Sequence, residues 1–377
     1  MKVLLICHRR PDPQGPGDAK IGHQVLVALE RRGHSVCVAA PSGARRDRNV
    51  SGALIGALRG MPLQIGLTSD PELAAAVTKL ITQHAFDLGI AVHARAVMQL
   101  PEELRPRSLA LIIDAYGRSY ATYAPFVPIP SRMLYAFEAK RMRRFERWIA
   151  EHHARTCVVS RVDRDHLIAE GCSEDRVVHL PYAVDLDYFG ATSHAPFGGS
   201  PLFAMIGRLN YVPNQDAARQ FITRIAPLLR VRWPAARVVL AGADPPHQLR
   251  TLALRSGVEM RANLLDVRDM LASATAVMVP MRIGGGVQTK ILEAMAARVP
   301  VVCTSFANQG VAAQPERDLL IANDGGEFVA AADRIINDFR LAQSLSARGR
   351  VFVENHHSKR LFEARLLSNC EEVAGGR

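Results

Sequence analysis

Lysine is scarce in this chain. Of 47 basic residues only six are lysine, at positions 2, 20, 79, 140, 290 and 359, and the other 41 are arginine. Such a bias follows a GC-rich genome, so a single arginine is weak evidence, whereas Lys290 stands out. The six cysteines, at 7, 37, 157, 172, 303 and 370, form no CxxC pair and no metal-ligand spacing, which points away from a zinc module or disulfide framework and toward reduced thiols in a cytoplasm. No apolar run reaches membrane-spanning length, and Met1 to Ile6 reads as a short strand, too brief for a signal sequence. No acidic pair of D-x-D type stands on a suitable loop, so no metal site is expected. There is neither a low-complexity segment nor a repeat beyond strand-helix alternation.

What is present is enough chain for two cores. A length of 377 residues with 48% apolar content suits two domains better than one. The net charge of +11 is spread over both halves without a basic tail. It suits anionic partners, whether nucleotides, lipid phosphates or nucleic acid, and does not choose between them.

The most informative stretch is residues 277–303, VMVPMRIGGGVQTKILEAMAARVPVVC. An apolar strand over Ala276–Pro280 meets the triplet Gly284, Gly285, Gly286, then a helix carrying Lys290 and Glu293, then a second apolar run, Val299–Cys303. Glycines let backbone amides approach a ligand, and the free N–H groups at a helix start favour an anion, so this joint suits a phosphate. Arg282 and Lys290 flank it. Lys290 and Glu293 share a helix face, where an ammonium could neutralise a diphosphate and a carboxylate accept from a ribose diol. A plain surface ion pair is the alternative. Their position behind a strand's C-terminal end, where open α/β sheets bind ligands, favours function.

This segment resembles the donor-nucleotide helix of GT-B glycosyltransferases of family four (group 1). Glu293, Ala294, Met295, Ala296, Pro300, Val301 and Val302 match the family's E-A-M-A and P-V-V, while the family's earlier glutamate is replaced by Gly285. The R-I-G-x-G-x-Q-x-K-x-L-E-A-M form, which takes in Val287, Gln288 and Thr289, resembles a bacterial subgroup associated with exopolysaccharide assembly. Gly207, Arg208 and Leu209 match the family's G-R-L, whose arginine contacts donor diphosphate; the lysine expected five residues later is Pro213. NYVPNQDA resembles the same subgroup. Arg208, Arg282 and Lys290 would then form a cationic pocket, and the loop Asn263–Val267 would read the base edge through its backbone.

The first half alternates in the same way. A strand at Val3–Cys7, a glycine-rich loop, a helix to Arg32 and a strand at Ser35–Ala40 invite a dinucleotide fingerprint, but Lys20 stands where the third glycine is needed. Gly15 and Gly17 either resemble the family's first-loop glycines, which reach donor phosphate or acceptor, or simply make turns among prolines. The pattern continues through Leu63–Leu67, a helix over Pro71–His84, and strands at Leu88–Val92 and Leu109–Ile113. His93 and Asp114 end these last two strands. By resemblance Asp114 is the candidate for the acceptor hydroxyl or reacting sugar, with His93 beside it; Asp114 could equally cap a helix. Tyr116–Tyr123 with Pro125, Pro128 and Pro130 reads as an irregular loop facing the active site. Residues 131–155 read as a helix with seven basic and three acidic residues. Its apolar stripe either packs on the sheet or lies on an anionic membrane.

The resemblance implies a GT-B α/β fold: two Rossmann-like, doubly wound parallel-sheet domains facing each other across a cleft. The acceptor-binding domain would span 1–183 and the nucleotide-sugar domain 184–356. A helix over 357–377 would cross back to the first, and the flexible join would lie at Thr192–Pro201. It implies glycosyl transfer from a nucleoside diphosphate sugar, UDP before GDP by family frequency, with retention and without cofactor or metal. The acceptor would be lipid-linked or an oligosaccharide, in cytoplasmic exopolysaccharide or cell-surface glycan synthesis, peripheral on the inner membrane face. A sugar-nucleotide epimerase of GT-B shape and a basic nucleic-acid-binding protein remain alternatives; nothing here resembles a reading helix or stacking module, and no nucleic-acid partner is expected.

Overall fold

Apolar runs unbroken by polar residues become strands covered on both faces. In the computed structural model, which describes residues 1–41, 56, 60–68, 70–190 and 200–375, the chain forms two compact units. One holds Met1–Ala183 with Lys359–Arg377, the other Val184–Ser358.

The first unit is built on six parallel strands: β1 (Lys2–Cys7), β2 (Ser35–Ala39), β3 (Leu88–Val92), β4 (Ser108–Ile113), β5 (Arg155–Val158) and β6 (Val177–His179), in the order β2-β1-β3-β4-β5-β6. Every residue of β3 is buried, whereas the edge strand β2 is half open. Central parallel strands lose both faces to helices and therefore read as continuous Val, Ile and Leu. The helix Lys359–Gly375 packs on this unit: Glu363 pairs with Arg31 at 3.2 Å, and Arg365 donates to the His179 carbonyl at 3.2 Å.

The second unit repeats the plan with β7 (Leu202–Ile206), β8 (Arg237–Gly242), β9 (Glu259–Ala262), β10 (Ala276–Val279), β11 (Val301–Cys303) and β12 (Leu320–Ile321), in the order β12-β11-β10-β7-β8-β9. The chain runs outward from β7 to β9, returns to the other side of β7 with β10, and runs outward again. The crevice beyond the C-terminal ends of β7 and β10 is therefore the switch point of this sheet; β1 and β3 bracket the equivalent place in the first.

Three expectations are corrected. Leu63–Leu67, met within the strand alternation, is a short helix; its first amide donates to the Glu138 carboxylate at 2.8 Å, a cap from 75 residues away. Tyr116–Tyr123 is a helix rather than an irregular loop, and the helix predicted over 131–155 spans Ile129–His152. Pro130 sits in its first turn, where a missing N–H costs no hydrogen bond. The aromatic residues of the supposed loop pack on one another, with Tyr123 5.2 Å and Tyr120 5.8 Å from the Tyr135 ring centre. The join predicted at Thr192–Pro201 lies, except for Ser200 and Pro201, outside the described residues.

Candidate functional site

At the second switch point the chain turns sharply after both strands. The glycine triplet does not open the helix as the pattern suggested: the helix is Thr289–Ala296, and residues 281–288 form a loop before it. Gly284 and Gly286 have φ of 126° and 63°, a region other residues enter only with strain. A side chain at Gly310 would collide with the Gly286 carbonyl, so that position too must be glycine.

Lys290 is 7% exposed and places its Nζ 3.0 Å from Asn214 Oδ1 and 2.9 Å from Gln288 Oε1. Asn214 in turn donates to the Arg208 carbonyl at 2.8 Å. A buried ammonium with two neutral acceptors is undercompensated. Burial pushes Lys290 down to about 8, against the upward pull of Glu293 one turn along.

The flanking arginines are held differently. Arg282 grips Asp216 with two bonds of 2.7 and 2.8 Å, a fork that fixes the guanidinium plane. Arg208 reaches Asp244 at 3.4 Å with both side chains about half exposed, a contact worth little by itself. Asn214 and Asp216 lie on one helix, Val212–Gln220, which thus sets Lys290 from one position and Arg282 from another. Sequence reasoning noticed this stretch only as part of NYVPNQDA and missed both residues. A Cβ on Gly284 would stand 3.5 Å from Pro213 Cβ, so the glycine loop lies against the position where a lysine was expected. Lys290, from the opposite side of the switch point, brings its ammonium beside that position through Asn214, the residue after Pro213.

Val267 stands just before the helix Arg268–Ser273. Its neighbour Asp266 accepts from Arg268 Nε at 2.7 Å and from the Tyr188 hydroxyl at 2.8 Å, and Arg268 draws its carboxyl down to about 2. Asn263 begins this loop and ties it to the turn bearing Asp244, whose amide donates to Asn263 Oδ1 at 2.8 Å. The structure therefore gathers Arg208, Val267, Arg282, residues 284–290 and Glu293 at one end of one sheet. What they can do is bind an extended anion, with a half-buried carboxylate close by.

Gly15, Gly17, His93 and Asp114 belong to the first unit. Gly15 donates to the Asp12 carbonyl at 3.3 Å, and a side chain there would come 2.8 Å from Ala19; Gly17 begins the helix Gly17–Arg31 with open space around it. His93 follows β3 at φ 82°, and Ile113 ends β4 at φ 76°. For a β-branched residue that is a strained backbone, on the order of 1–3 kcal/mol, of the kind that collects at ligand sites.

The Arg95 amide donates to His93 Nδ1 at 3.2 Å, so the neutral ring carries its proton on Nε2, 2.9 Å from the Tyr116 hydroxyl. His8, just after β1 and unnoticed in the sequence, lies with its ring 5.0 Å from that of His93, inclined at 34°, and accepts from the Arg95 guanidinium at 3.2 Å. Asp114 caps nothing: Ala115 holds the cap position of the next helix, with no side-chain bond. It lies instead by the fully buried Asp163. Burial first, then repulsion from Asp163, push Asp114 up to about 7, with Arg118 opposing. Glu146, fully buried beneath Gly117, is pushed by burial up to about 8 although the Gly117 amide donates to it at 3.1 Å. His93 and Asp114 thus end neighbouring strands but keep separate partners.

Two family models match the chain: a glycosyl transferase 4-like domain over residues 20–183 and glycosyl transferases group 1 over residues 200–338. No curated protein sequence matches significantly. Among solved structures, sucrose-phosphate synthase from Thermosynechococcus elongatus superposes with a TM-score of 0.75 at 14% identity, over 100% of both chains. A glycosyltransferase from Rickettsia africae gives 0.70 at 14% identity over 100% of this chain and 99% of that one. Anabaena HepE in complex with UDP-glucose gives 0.67 at 13% identity over 99% and 100%. With two Rossmann-like sheets, cations at the second switch point and both halves matched by family models, the chain belongs to the group 1 glycosyltransferases of GT-B fold.

Proposed function

We propose that the chain moves a sugar, with retention of configuration, from a UDP-linked donor to a lipid-linked or oligosaccharide acceptor in bacterial exopolysaccharide or cell-surface glycan synthesis. The observation that carries the donor side is the Lys290–Asn214–Arg208 connection across the second switch point, with Arg282 held beside it. As the anomeric bond breaks, negative charge grows on the departing diphosphate. Fixed cations and loop amides stabilise that charge more than they stabilise the bound donor, and this lowers the barrier without calling on a metal ion or cofactor. Glu293 accepts from the nucleotide ribose. Residues 284–289 cradle the phosphates, and the backbone beside Val267 meets the base. UDP as the base carrier accords with the ligands named for HepE.

Asp114 and His93 serve the acceptor side. A carboxyl at about 7 can take a proton from an attacking hydroxyl near neutral pH, and the His93–Tyr116 pair positions the sugar. The first unit binds the acceptor, the second the nucleotide sugar, and the enzyme works in the cytoplasm at the inner face of the membrane.

A thermal-shift panel of UDP, GDP, ADP and their sugars tests the donor assignment: UDP raises the melting temperature most, because a ligand of the native state stabilises it. Equal shifts by all three nucleotides would remove the base assignment, and none at all would remove the site. Product analysis with a lipid-linked acceptor separates transfer from epimerisation, since only transfer makes a glycoside.

A further inference from the structure

The helix Ile129–His152 divides its face in a way its sequence did not disclose. The inward side is as amphipathic packing requires: Met142, Phe145 and Ile149 are buried in the core of the first unit. Outward, the residues one turn apart are Ile129, Met133, Phe137, Lys140 and Arg144, a single stripe. Its N-terminal half is apolar and open to solvent, with Ile129 and Met133 each 71% exposed and Phe137 51%. Leu134 and, on the preceding turn, Phe126 extend the patch at 50% and 43%. Its C-terminal half is cationic, and Arg141 lies 4.3 Å over the Phe137 ring, at the border between the two.

The acids of this stretch are hidden. Between residues 124 and 150 the only carboxylates are Glu138 and Glu146, at 6% and 0% exposure, so the outward face carries positive charge alone. An ordinary solvated helix face mixes both signs, and a protein-binding groove offers shape. Here five large apolar side chains stand exposed, bordered by cations on one side.

We propose that this face docks on an anionic phospholipid bilayer. Phe126, Ile129, Met133, Leu134 and Phe137 enter the acyl boundary, while Lys140, Arg141 and Arg144 stay at the phosphates. The grading along the axis tilts the helix, apolar end down. No helix among the described residues is long and apolar enough to cross a membrane, and the contact proposed here is one of a surface-lying helix. This deepens the reading of a lipid-linked acceptor by giving the acceptor-binding unit its own hold on the lipid surface.

The test is flotation of the full chain with vesicles of phosphatidylglycerol and phosphatidylcholine in equal parts, against phosphatidylcholine alone. The wild type should float with the anionic vesicles and at most weakly with the neutral ones. The triple variant Ile129→Ser, Met133→Ser, Phe137→Ser should lose about tenfold or more of its partition, as should Lys140→Glu with Arg144→Glu, since each basic group near an anionic surface contributes about fivefold. Unchanged melting temperatures and UDP-induced shifts certify that the variants fold. Equal flotation on both vesicle types, or serine variants that float like the wild type, would overturn the proposal. So would a concentration-dependent dimer abolished by the serine changes, because the face would then belong to a second copy. Flotation needs no donor, so its failure leaves the donor-site reading standing, and a failed nucleotide panel leaves the docking face standing.

Discussion

The two units share a scaffold and differ in the charge they present at the ends of the central strands. In the second, cations gather: Lys290 buried with neutral partners, Arg282 locked to Asp216, Arg208 leaning on Asp244. In the first, acids gather and burial holds them above the ordinary carboxylate range: Asp114 beside Asp163, with Glu146 beneath. A parallel sheet with a switch point therefore specifies where a ligand binds and leaves open which ligand. The residues placed on the loops after the strands differ accordingly, cations in one unit and acids in the other.

The sharpest way to break this comparison is at Lys290. Lys290→Ala should lower transfer by at least about a hundredfold with the circular dichroism spectrum unchanged, because it removes a preorganised charge from the departing diphosphate. Glu293→Ala should likewise abolish transfer. Near-normal turnover of either below donor saturation would end the donor-site assignment.

Asp114→Asn asks whether the first unit serves a separate step. It should reduce kcat about a hundredfold, the range for loss of a general base, and leave the UDP-induced thermal shift as it was. A lost nucleotide shift would show that the two clusters are not divided by task.

Titration sharpens the contrast further. Lys290 binds an anion only when protonated, so UDP affinity should hold below about pH 8 and weaken by about tenfold at pH 9, measured by calorimetry, as the competent fraction falls. A flat affinity across that range would mean the ammonium does not touch the diphosphate.

The smallest effect is on stability. The pKa of Glu146 is higher folded than unfolded, so its contribution is fully present below the ordinary carboxylate range and is lost as pH rises toward about 8. Glu146→Gln keeps an acceptor for the Gly117 amide and has no proton to lose. Its melting temperature should match the wild type at pH 4 and exceed it by about a few degrees at pH 8.

Much of the second unit was legible. The strand before Arg282, the glycine triplet and the Lys290–Glu293 pair lie within seventeen residues of one another, so the motif and the candidate site almost coincide, and local sequence order carries the geometry. The first unit was harder because its cluster is assembled from distant pieces. His8 follows β1, His93 follows β3, Tyr116 follows β4, and Glu146, 29 residues beyond Gly117, comes from the next long helix. Tyr116–Tyr123 misled because three prolines follow it, yet each found a turn or a first helical position that tolerates it.

By itself the sequence determined the alternation of strands and helices, the parallel sheets it implies and the glycine loop flanked by cations after one strand, since periodicity and glycine placement act over a few residues. Only the tertiary structure decided which carboxylates are buried and have their pKa raised, that Asn214 bridges Lys290 to Arg208, and which side of the helix Ile129–His152 faces water. Burial and pairing depend on neighbours far away in the chain, and no local pattern records them.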